Sequence, residues 1–561
     1  MLCAGFGPLS WRVVVSLGNR GKSMSSDDRG FIWEVSNSRI SRRSLLKGAA
    51  AIGGVAALGP LAAACGSDST SSSASPSAAA GTPNKGGDLM VGIVGGSAKD
   101  TADPHKGSYE PDIAIQYIMY EGLTNWTFDM QLEDLLAESI EPNADGSVWQ
   151  VKLRDGVLWH DGKPVTADDV VFSMERIVDP KDPKVAAAAL TGVGPGSVKK
   201  IDDLTVEFNL TTANVLLDEN LAERSAKIVP VGFDPMNPIG SGPFKMVDMK
   251  PGEQFKWDAF ADHWGGPPYV DTLTMIEFAD DTARINALNG GQIQAMSQLP
   301  KSQAQVIEAT DGLALLNAET GAWRPFTMRI DVKPYSDVRV RQAFRLIVDR
   351  QQMIDQAYSG LGAVGNDMYG RYDAGTPALP QRVQDIEQAK SLLKQAGYDN
   401  SLTVQLVTSE GALGGDEVAA AQVFAEQAKA AGVTVTIKKT DSGVFYGEDY
   451  LTWPFAQDFW ATRTYLAQTS QGTLPTAPYN ETHWENAEWL ALVKEAFKTV
   501  DDAARNELIT QAQQIEFDTG GYIIWSWRNQ VDAYSKTTTG YKLDKLGGPI
   551  GRMYFKDVYF V

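Results

Sequence analysis

The spacing of apolar residues along the chain alternates between two periods. Alternating apolar and polar positions predict strands at residues 86–96, 148–154 and 200–210. Apolar residues that recur every three or four positions predict helices at residues 111–122 and 337–358. Strands and helices mixed in this way predict an α/β protein rather than an all-β fold or a helix bundle.

A strand–helix–strand succession occupies residues 402–439. Residues 402–408 and 433–439 are rich in Val, Leu, Ile and Thr, and the Ala-rich residues 417–432 between them have a helical period. Two strands joined by a helix run parallel in one sheet. We therefore expect at least part of a sheet to be parallel.

The run from Val148 to Ile177 carries the clearest local signals. A predicted strand is followed by two Asp-Gly turns, and then by a helix that starts after Thr166. Asp169 stands three residues after Thr166, which is the spacing of a capping box. We interpret this run as scaffold.

The first 64 residues have the features of an export signal. Arg42 and Arg43 lie in "SRRSLLK", which resembles a twin-arginine motif, and an Ala- and Gly-rich apolar run follows at residues 48–64. The segment "LAAAC" resembles a bacterial lipobox that ends at Cys65. A buried Ala-rich helix, the general secretory route and a start at Met24 are the alternatives.

Cys65 is the expected first residue of the mature protein and the expected site of lipidation. Because each buried CH₂ of an acyl chain is worth about 0.8 kcal/mol, two or three chains anchor a protein stably. Residues 65–86 are rich in Ser, Ala, Gly and Thr and nearly uncharged, so they predict a flexible tether. The expected location is the outer face of a bacterial cell membrane, or the periplasm.

The charge balance excludes nucleic acid as a partner. The chain has 50 basic and 70 acidic residues. Basic residues outnumber acidic ones before Cys65, so the part that follows is more acidic than the whole chain. An acidic surface disfavours nucleic acids, and it disfavours anionic membranes beyond the lipid anchor. The length predicts two or three domains.

The two cysteines and four histidines exclude several kinds of site. Cys3 lies before the expected cleavage point, so the mature chain has no second cysteine for a disulfide. The histidines, at positions 105, 160, 263 and 483, form no close pair, so neither a metal site nor a cofactor is expected.

Signatures of catalysis are missing from the sequence. There is no G-x-S-x-G, no P-loop and no G-x-G-x-x-G between a strand and a helix. Ser391 and Lys394 match S-x-x-K, but they lie in a predicted helix without the motifs that accompany it in enzymes. We expect no enzymatic activity.

Aromatic residues are the candidates for ligand binding. The chain has 14 Trp, 18 Tyr and 20 Phe. Several fall in loop-like stretches, namely Trp323, Tyr446, Trp453, Trp460 and Tyr465. Aromatic side chains with a few polar groups form ligand clefts, although large aromatics also fill protein cores.

A set of motifs in a fixed order resembles one known family. "LRDGVLWHDGKPVTADDVVFSMERI", "GSGPFK", "DHWGGPPYVD", "SDVRVRQAFRLIVDR" and "AKSLLKQAGY" resemble segments of extracellular solute-binding proteins of family 5. That group serves peptide, oligopeptide and nickel ABC importers. The resemblance extends over residues 87–561.

The resemblance implies a two-lobed fold of the periplasmic-binding-protein type, type II, that encloses a solute between its lobes. The implied lobe I comprises residues 87–124, 200–300 and 525–561, with an accessory subdomain at 125–199. Residues 301–524 form the implied lobe II. The implied partners are a permease and an ATPase of an ABC importer, and the implied solute is a peptide or a peptide-like molecule.

One position departs from the family's peptide binders. In those proteins, an Asp three residues after a cleft Trp pairs with the free amine of the peptide. Trp460 matches the Trp, but Arg463 stands where the Asp would be. A cation there favours an acidic group on the solute. A sugar binder of the same family, a sensor with the same fold and a secreted hydrolase are the alternatives.

Overall fold

The computed structural model describes residues 83–95, 97–107 and 109–561. Arg42, Arg43, Cys65 and the greater part of the predicted tether lie outside the described residues. Predictions about export, lipidation and the tether therefore stay predictions.

The strands of the described part are numbered in chain order. They are β1 (Asp88–Val94), β2 (Thr124–Trp126), β3 (Leu132–Asp134), β4 (Ala137–Pro142), β5 (Val148–Leu153), β6 (Val198–Asp202), β7 (Thr205–Asn209), β8 (Phe244–Lys250), β9 (Gln254–Ala259), β10 (Thr272–Phe278), β11 (Ala295–Met296), β12 (Leu313–Ala318), β13 (Phe326–Met328), β14 (Gly362–Val364), β15 (Leu402–Thr408), β16 (Val433–Lys439), β17 (Phe455–Gln457), β18 (Tyr522–Ile523), β19 (Ser526–Arg528), β20 (Gln530–Ser535), β21 (Thr538–Thr539) and β22 (Tyr559–Phe560).

The α-helices of the described part are numbered in the same way. They are α1 (Glu110–Met119), α2 (Ala167–Val178), α3 (Leu217–Leu221), α4 (Asp281–Asn289), α5 (Ala304–Glu308), α6 (Val338–Ile347), α7 (Arg350–Ala357), α8 (Ile386–Gln395), α9 (Glu410–Leu413), α10 (Gly415–Ala430), α11 (Ser442–Phe445), α12 (Tyr465–Gly472), α13 (Ala487–Ala496) and α14 (Asp502–Thr519). Short 3₁₀ helices lie at Val185–Ala188 and Lys301–Gln303, and Pro549–Met553 is a turn with left-handed backbone.

A seven-stranded mixed sheet has the order β12-β20-β11-β1-β10-β9-β8. Strand β1 lies near its centre and pairs in parallel with both β10 and β11. Leu89, Val91 and Ile93 of β1 are fully buried, which explains the alternation read from the sequence. Strand β12 pairs with β20 in this sheet, although it follows the predicted lobe boundary at residue 300. The chain leaves this sheet only after Ala318.

A second sheet has the order β16-β15-β17-β13-β18. Strands β15 and β16 pair in parallel from Leu402↔Val433 to Thr408↔Lys439, with α10 between them in the chain. The predicted strand–helix–strand unit is confirmed. Helices α6, α7, α8 and α10 contribute buried apolar side chains to the core on this sheet.

A separate antiparallel sheet has the order β4-β5-β7-β6 and extends from Ala137 to Asn209, overlapping the predicted accessory subdomain at 125–199. Helix α2 begins with the predicted capping box, in which the Thr166 N–H donates to Asp169 over 2.9 Å. Trp149 and Val170 are fully buried in its core. The scaffold interpretation of this run agrees with its burial.

The prediction of one continuous helix at residues 337–358 is wrong, because the structure has two helices there. Val348 has extended backbone, and Asp349 starts a second helix by accepting a hydrogen bond from the Gln352 N–H over 3.0 Å. An Asp at an N-cap competes with continuation of the preceding helix. The result is the pair α6 and α7.

Two chain crossings connect the two larger sheets. One follows β12 and leads to β13, and the other leads from β18 through β19 to β20. The crossings are hydrogen-bonded to each other, since the Arg528 N–H donates to the Ala322 carbonyl over 2.8 Å and the Thr320 hydroxyl donates to the Arg528 carbonyl over 2.5 Å. Two adjacent short crossings have the form of a hinge between lobes.

Candidate site between the two sheets

Trp460 is held against the first crossing by backbone hydrogen bonds. The Trp323 N–H donates to the Trp460 carbonyl over 3.0 Å, and the Trp460 N–H donates to the Trp323 carbonyl over 2.9 Å. Trp323 also forms an isolated bridge with Trp527 of the second crossing. Three tryptophans from distant parts of the sequence therefore meet where the chain crosses.

Four aromatic rings form one continuous stack beside the crossings. The ring centres of Trp460 and Trp323 are 5.9 Å apart, those of Trp323 and Tyr369 are 5.6 Å apart, and those of Tyr369 and Tyr465 are 5.1 Å apart. Each pair is close to parallel, and all four residues are buried. Such contacts stabilise a fixed geometry beyond area burial.

A small cavity, of about 20 Å³, adjoins the Trp460 end of this stack. Its walls come from both crossings and from the segment around Trp460, with Gly547 added from the C-terminal part. The lining residues are Thr320, Ala322, Arg324, Phe459, Trp460, Ala461, Arg528, Asn529, Gln530 and Gly547. We call it the crossing cavity.

Two guanidinium groups line the crossing cavity. The Nε atoms of Arg324 and Arg528 are buried and have no hydrogen-bond partner among the described residues. Arg324 lies 3.7 Å from Glu417, and Arg528 lies 3.8 Å from Asp416. Both guanidiniums therefore have an acidic neighbour, and both line the wall of the cavity.

The neighbouring acids do not balance the cations. Burial raises the pKa of Glu417, which accepts a 2.6 Å hydrogen bond from Tyr358, while Arg324 opposes the shift. Burial lowers the pKa of Lys301 to about 7, with a further lowering from Arg528. Two guanidiniums therefore line the cavity, while Asp416 also pairs with Lys301 over 3.2 Å and burial disfavours the charged form of Glu417, so the cavity is suited to an anionic group.

An acidic pair lies beneath Trp460. The Trp460 indole N–H donates to Glu481 over 3.1 Å, and Asp458 accepts hydrogen bonds from Tyr450 over 2.9 Å and from Tyr446 over 3.3 Å. Burial raises the pKa of both carboxyl groups, and the charge of Asp458 raises that of Glu481 further. These acids position Trp460 from below.

Arg463 follows Trp460 by three residues in the sequence. Its guanidinium carbon is 5.2 Å from the centre of the Trp460 ring, and its Nη1 donates to Gln468 over 3.2 Å. The next residue, Thr464, donates to Glu219 of α3 over 3.4 Å, a contact that connects the Trp460 segment to the other side of the molecule. Arg463 therefore lies between the two halves, but it does not line the crossing cavity.

The predicted ligand residues divide into two sets. Trp460 lines the crossing cavity, whereas Trp323 and Tyr465 are buried in the stack and Tyr446 contacts Asp458 below it. Sequence reasoning missed Arg324 and Arg528. A signal was present, because each crossing carries the dipeptide Trp-Arg, at 323–324 and at 527–528.

Within residues 83–95, 97–107 and 109–561, no cluster of three or more His, Cys, Asp or Glu side chains has a geometry that could hold a metal ion. None of the helices that the structure describes is both long and apolar enough to span a bilayer.

Two sheets joined by adjacent crossings, with a cavity at the crossings, define a two-lobed solute-binding protein. The profile of the bacterial extracellular solute-binding proteins, family 5, matches residues 131–482. The chain belongs to this family, whose members are binding proteins, and the expected family and fold are confirmed.

Individual relatives support the same assignment. The chain is 27% identical over 476 residues to the glutathione-binding protein GsiB of Pectobacterium atrosepticum. The matched region covers 80% of this chain and 90% of the relative. The ABC transporter substrate-binding protein CtaP of Listeria monocytogenes superposes with a TM-score of 0.75 at 26% identity, over 85% of this chain and 100% of that one. The oligopeptide-binding protein AppA of Bacillus subtilis, solved with a nonapeptide, superposes with a TM-score of 0.66 at 23% identity, over 86% and 100%.

Proposed function

We propose that this protein is the solute-capturing subunit of an ABC importer and that it holds a peptide-like solute between its lobes. The observation that carries the proposal is the crossing cavity, where Trp460 from one half meets Arg528 and Gln530 near the other. Closure of two lobes about adjacent crossings is a hinge motion. The captured solute is then delivered to a permease that a separate ATPase drives.

The charges of the crossing cavity favour a solute with a carboxylate. Arg324 and Arg528 line the cavity, and a guanidinium can hold a carboxylate with two parallel hydrogen bonds. Two similar proteins, a glutathione-binding protein and an oligopeptide-binding protein, support a peptide-like solute. A sugar is the alternative, because an indole such as Trp460 also packs on pyranose rings.

We infer that Cys65 carries lipid, that Arg42 and Arg43 direct export, and that residues 65–86 tether the binder near its permease. A tether raises the effective concentration of the binder at the permease. We assign ligand contact to Trp460 and Arg463, and support of Trp460 to Trp323, Tyr446 and Tyr465.

The proposed division into lobes follows the crossings. Lobe I holds the seven-stranded sheet, including β12, and lobe II holds the β16-β15-β17-β13-β18 sheet. The accessory subdomain is the β4-β5-β7-β6 sheet with α2. Limited proteolysis of the purified protein would test these limits, since cleavage should concentrate outside the three units.

A binding screen tests the function. Purified protein is titrated calorimetrically with glutathione, a panel of tri- to nonapeptides and a panel of oligosaccharides. A cognate solute at about 100 times its Kd should raise the free energy of unfolding by about 2.7 kcal/mol. Saturable binding of a peptide without its breakdown supports the proposal. If only a sugar binds, the substrate is a sugar rather than a peptide. Turnover of any of these compounds would contradict the proposed binding function.

A further inference from the structure

A second and larger cavity, of about 300 Å³, lies away from the crossings. Its walls come from α1 and the segment after it, from residues 263–265 and from residues 552–556 near the C-terminus. The lining includes Tyr117, Glu121, Lys227, Trp264, Arg552 and Tyr554. It shares no lining residue with the crossing cavity, and none of its lining residues lies in the segment between the crossings. We call it the Lys227 cavity.

The backbone of Lys227 is firmly fixed. Its carbonyl accepts a hydrogen bond from His105 Nε2 over 2.8 Å, and the residue forms an antiparallel bridge with Gly122. The neighbouring Ile228 N–H donates to the Glu121 carbonyl over 2.9 Å. The side chain of Lys227 therefore starts from a rigid support on the wall of the cavity.

The ammonium group of Lys227 has no acceptor of its own. The residue is only 5% exposed, and its Nζ lies 5.1 Å from the centre of the Tyr117 ring. Within the described residues Nζ makes no hydrogen bond and no ion pair, and neither does the Tyr117 hydroxyl make a hydrogen bond. The contact with the Tyr117 ring offsets only part of the cost of burying this charge, so the site favours an anion supplied from outside the chain.

The other charged residues of the cavity are Glu121, Glu133, Asp134, Arg552 and Lys556. The Glu121 carboxylate accepts hydrogen bonds from His263 over 3.2 Å and from Trp264 over 3.0 Å. The Arg552 guanidinium donates to the Trp126 carbonyl over 2.7 Å and pairs with Asp544 over 3.1 Å. Lys227 and the Tyr117 hydroxyl form a neighbouring pair without hydrogen bonds in the described part of the chain, and Phe128, Trp264 and Tyr554 supply aromatic surface.

Both members of this pair keep their protons near neutral pH. Burial lowers the pKa of Lys227 to about 8, while the charge of Glu121 opposes the shift. Burial raises the pKa of Tyr117 to about 12. Both groups therefore act as donors at pH 7, and a carboxylate beside Lys227 would favour its charged form.

We propose that the Lys227 cavity binds a small organic carboxylate, with its carboxylate on Lys227 and the Tyr117 hydroxyl and its apolar body against the aromatic wall. This site is separate from the one that holds the imported solute. It belongs wholly to lobe I, so it can be filled whether or not the two lobes have closed.

The test uses benzoate as the probe and benzamide as its uncharged isostere, each titrated into the purified protein by calorimetry. Benzoate should bind at least about tenfold more tightly than benzamide, because a charge-assisted hydrogen bond replaces a neutral one. Lys227→Met should abolish the preference, and Tyr117→Phe should reduce it. Lys163→Met removes an exposed lysine of the accessory sheet region and should leave the preference intact.

The location of the probe decides the case if a variant fails to fold. In crystals soaked with 4-bromobenzoate, anomalous scattering from bromine inside the Lys227 cavity supports the proposal. Bromine only in the crossing cavity, no bound bromine, or equal binding of benzoate and benzamide would overturn it. The Lys227→Met protein should still bind the imported solute in the crossing cavity, so the proposed importer function and this second site fail independently.

Discussion

The indole N–H of Trp460 donates a 3.1 Å hydrogen bond to the carboxyl group of Glu481. The Tyr522 hydroxyl donates to the other oxygen of the same group. Glu481 is buried and lies beside Asp458, so both burial and the neighbouring charge raise its pKa well above its usual range. The wall of the crossing cavity therefore depends on a carboxyl group that prefers to stay protonated.

This relationship predicts a pH dependence of stability. Between the pKa of Glu481 in the unfolded chain and its raised value in the folded protein, the folded state binds the extra proton. The free energy of unfolding should therefore fall as pH rises from about 4.5, by up to about 1.4 kcal/mol per pH unit from this group. Glu481→Gln keeps an acceptor for Trp460 but cannot ionise, so thermal unfolding midpoints from pH 5 to pH 8 should decline less for this variant.

The matched control is Glu507→Gln, which removes an acid that is not part of an acidic pair. Buried acids elsewhere, such as Glu516, act equally in all three proteins and cancel in the comparison. Parallel pH profiles of the wild type and Glu481→Gln would show that Glu481 is ionised in the folded state.

Arg528 should determine the preference for an acidic solute. Arg528→Gln removes one of two charges in the crossing cavity, and it should weaken glutathione binding about tenfold to a hundredfold, the effect of one charge-assisted hydrogen bond. Arg528→Lys keeps the charge but not the planar fork, and it should recover only part of the affinity. Calorimetry measures both variants.

Arg339→Gln serves as the control for Arg528, because Arg339 is exposed and pairs locally with Asp337. It should bind glutathione as the wild type does. If a peptide other than glutathione proves to be the solute, the same variants are titrated with that peptide. Equal losses for its acidic and amidated forms would contradict the assignment of charge selection to Arg528.

Local features of the fold could be predicted from the sequence, because their causes lie within a few residues. The capping box of Thr166 and Asp169 and the parallel unit around α10 are examples. The break at Asp349 was missed, since the apolar period continues through it and only the N-cap hydrogen bond stops α6.

The site was less predictable because it depends on contacts between distant segments. Trp323, Trp460 and Trp527 meet only when both crossings and the segment near residue 460 are in place. The residues adjacent to Arg324 and Arg528 in the sequence do not indicate that both side chains line one cavity. The pairing of β12 with β20 has the same character, since the two strands lie more than 200 residues apart in the sequence.

Trp323 should contribute more to stability than a partly exposed tryptophan. It is 1% exposed and stacks on both Trp460 and Tyr369. Trp323→Ala should lower the free energy of unfolding by about 3–5 kcal/mol, the usual cost of removing a large buried aromatic. Chemical denaturation measures the loss, with Trp453→Ala as the half-buried control that should cost less.

Cys65 should determine whether the protein stays with the membrane. If it carries lipid, Cys65→Ser should leave an uncleaved precursor or release the protein into the medium. Replacing Arg42 and Arg43 by Lys should block export of the folded protein. Detergent-phase partitioning and fractionation measure both effects, and unchanged partitioning of the Cys65→Ser protein would remove lipidation from the proposal.

Arg463 provides a separate test of how the solute's charge is selected. Its guanidinium lies 5.2 Å from the Trp460 ring and contacts Gln468, between the two halves of the molecule. If it meets the solute, Arg463→Ala should weaken an acidic peptide about tenfold to a hundredfold. Arg463→Asp places a carboxylate three residues after Trp460, and it should favour peptides with a free amine over N-acetylated ones.

Gln468→Ala separates ligand contact from support of Arg463. This variant removes the amide that the guanidinium contacts while keeping the charge, so it should change affinity less than Arg463→Ala if the charge meets the solute. Calorimetry with free and N-acetylated forms of one acidic peptide distinguishes the roles. Wild-type affinity in both Arg463 variants would make the residue structural, and selection of the carboxylate would then rest on Arg324 and Arg528 alone.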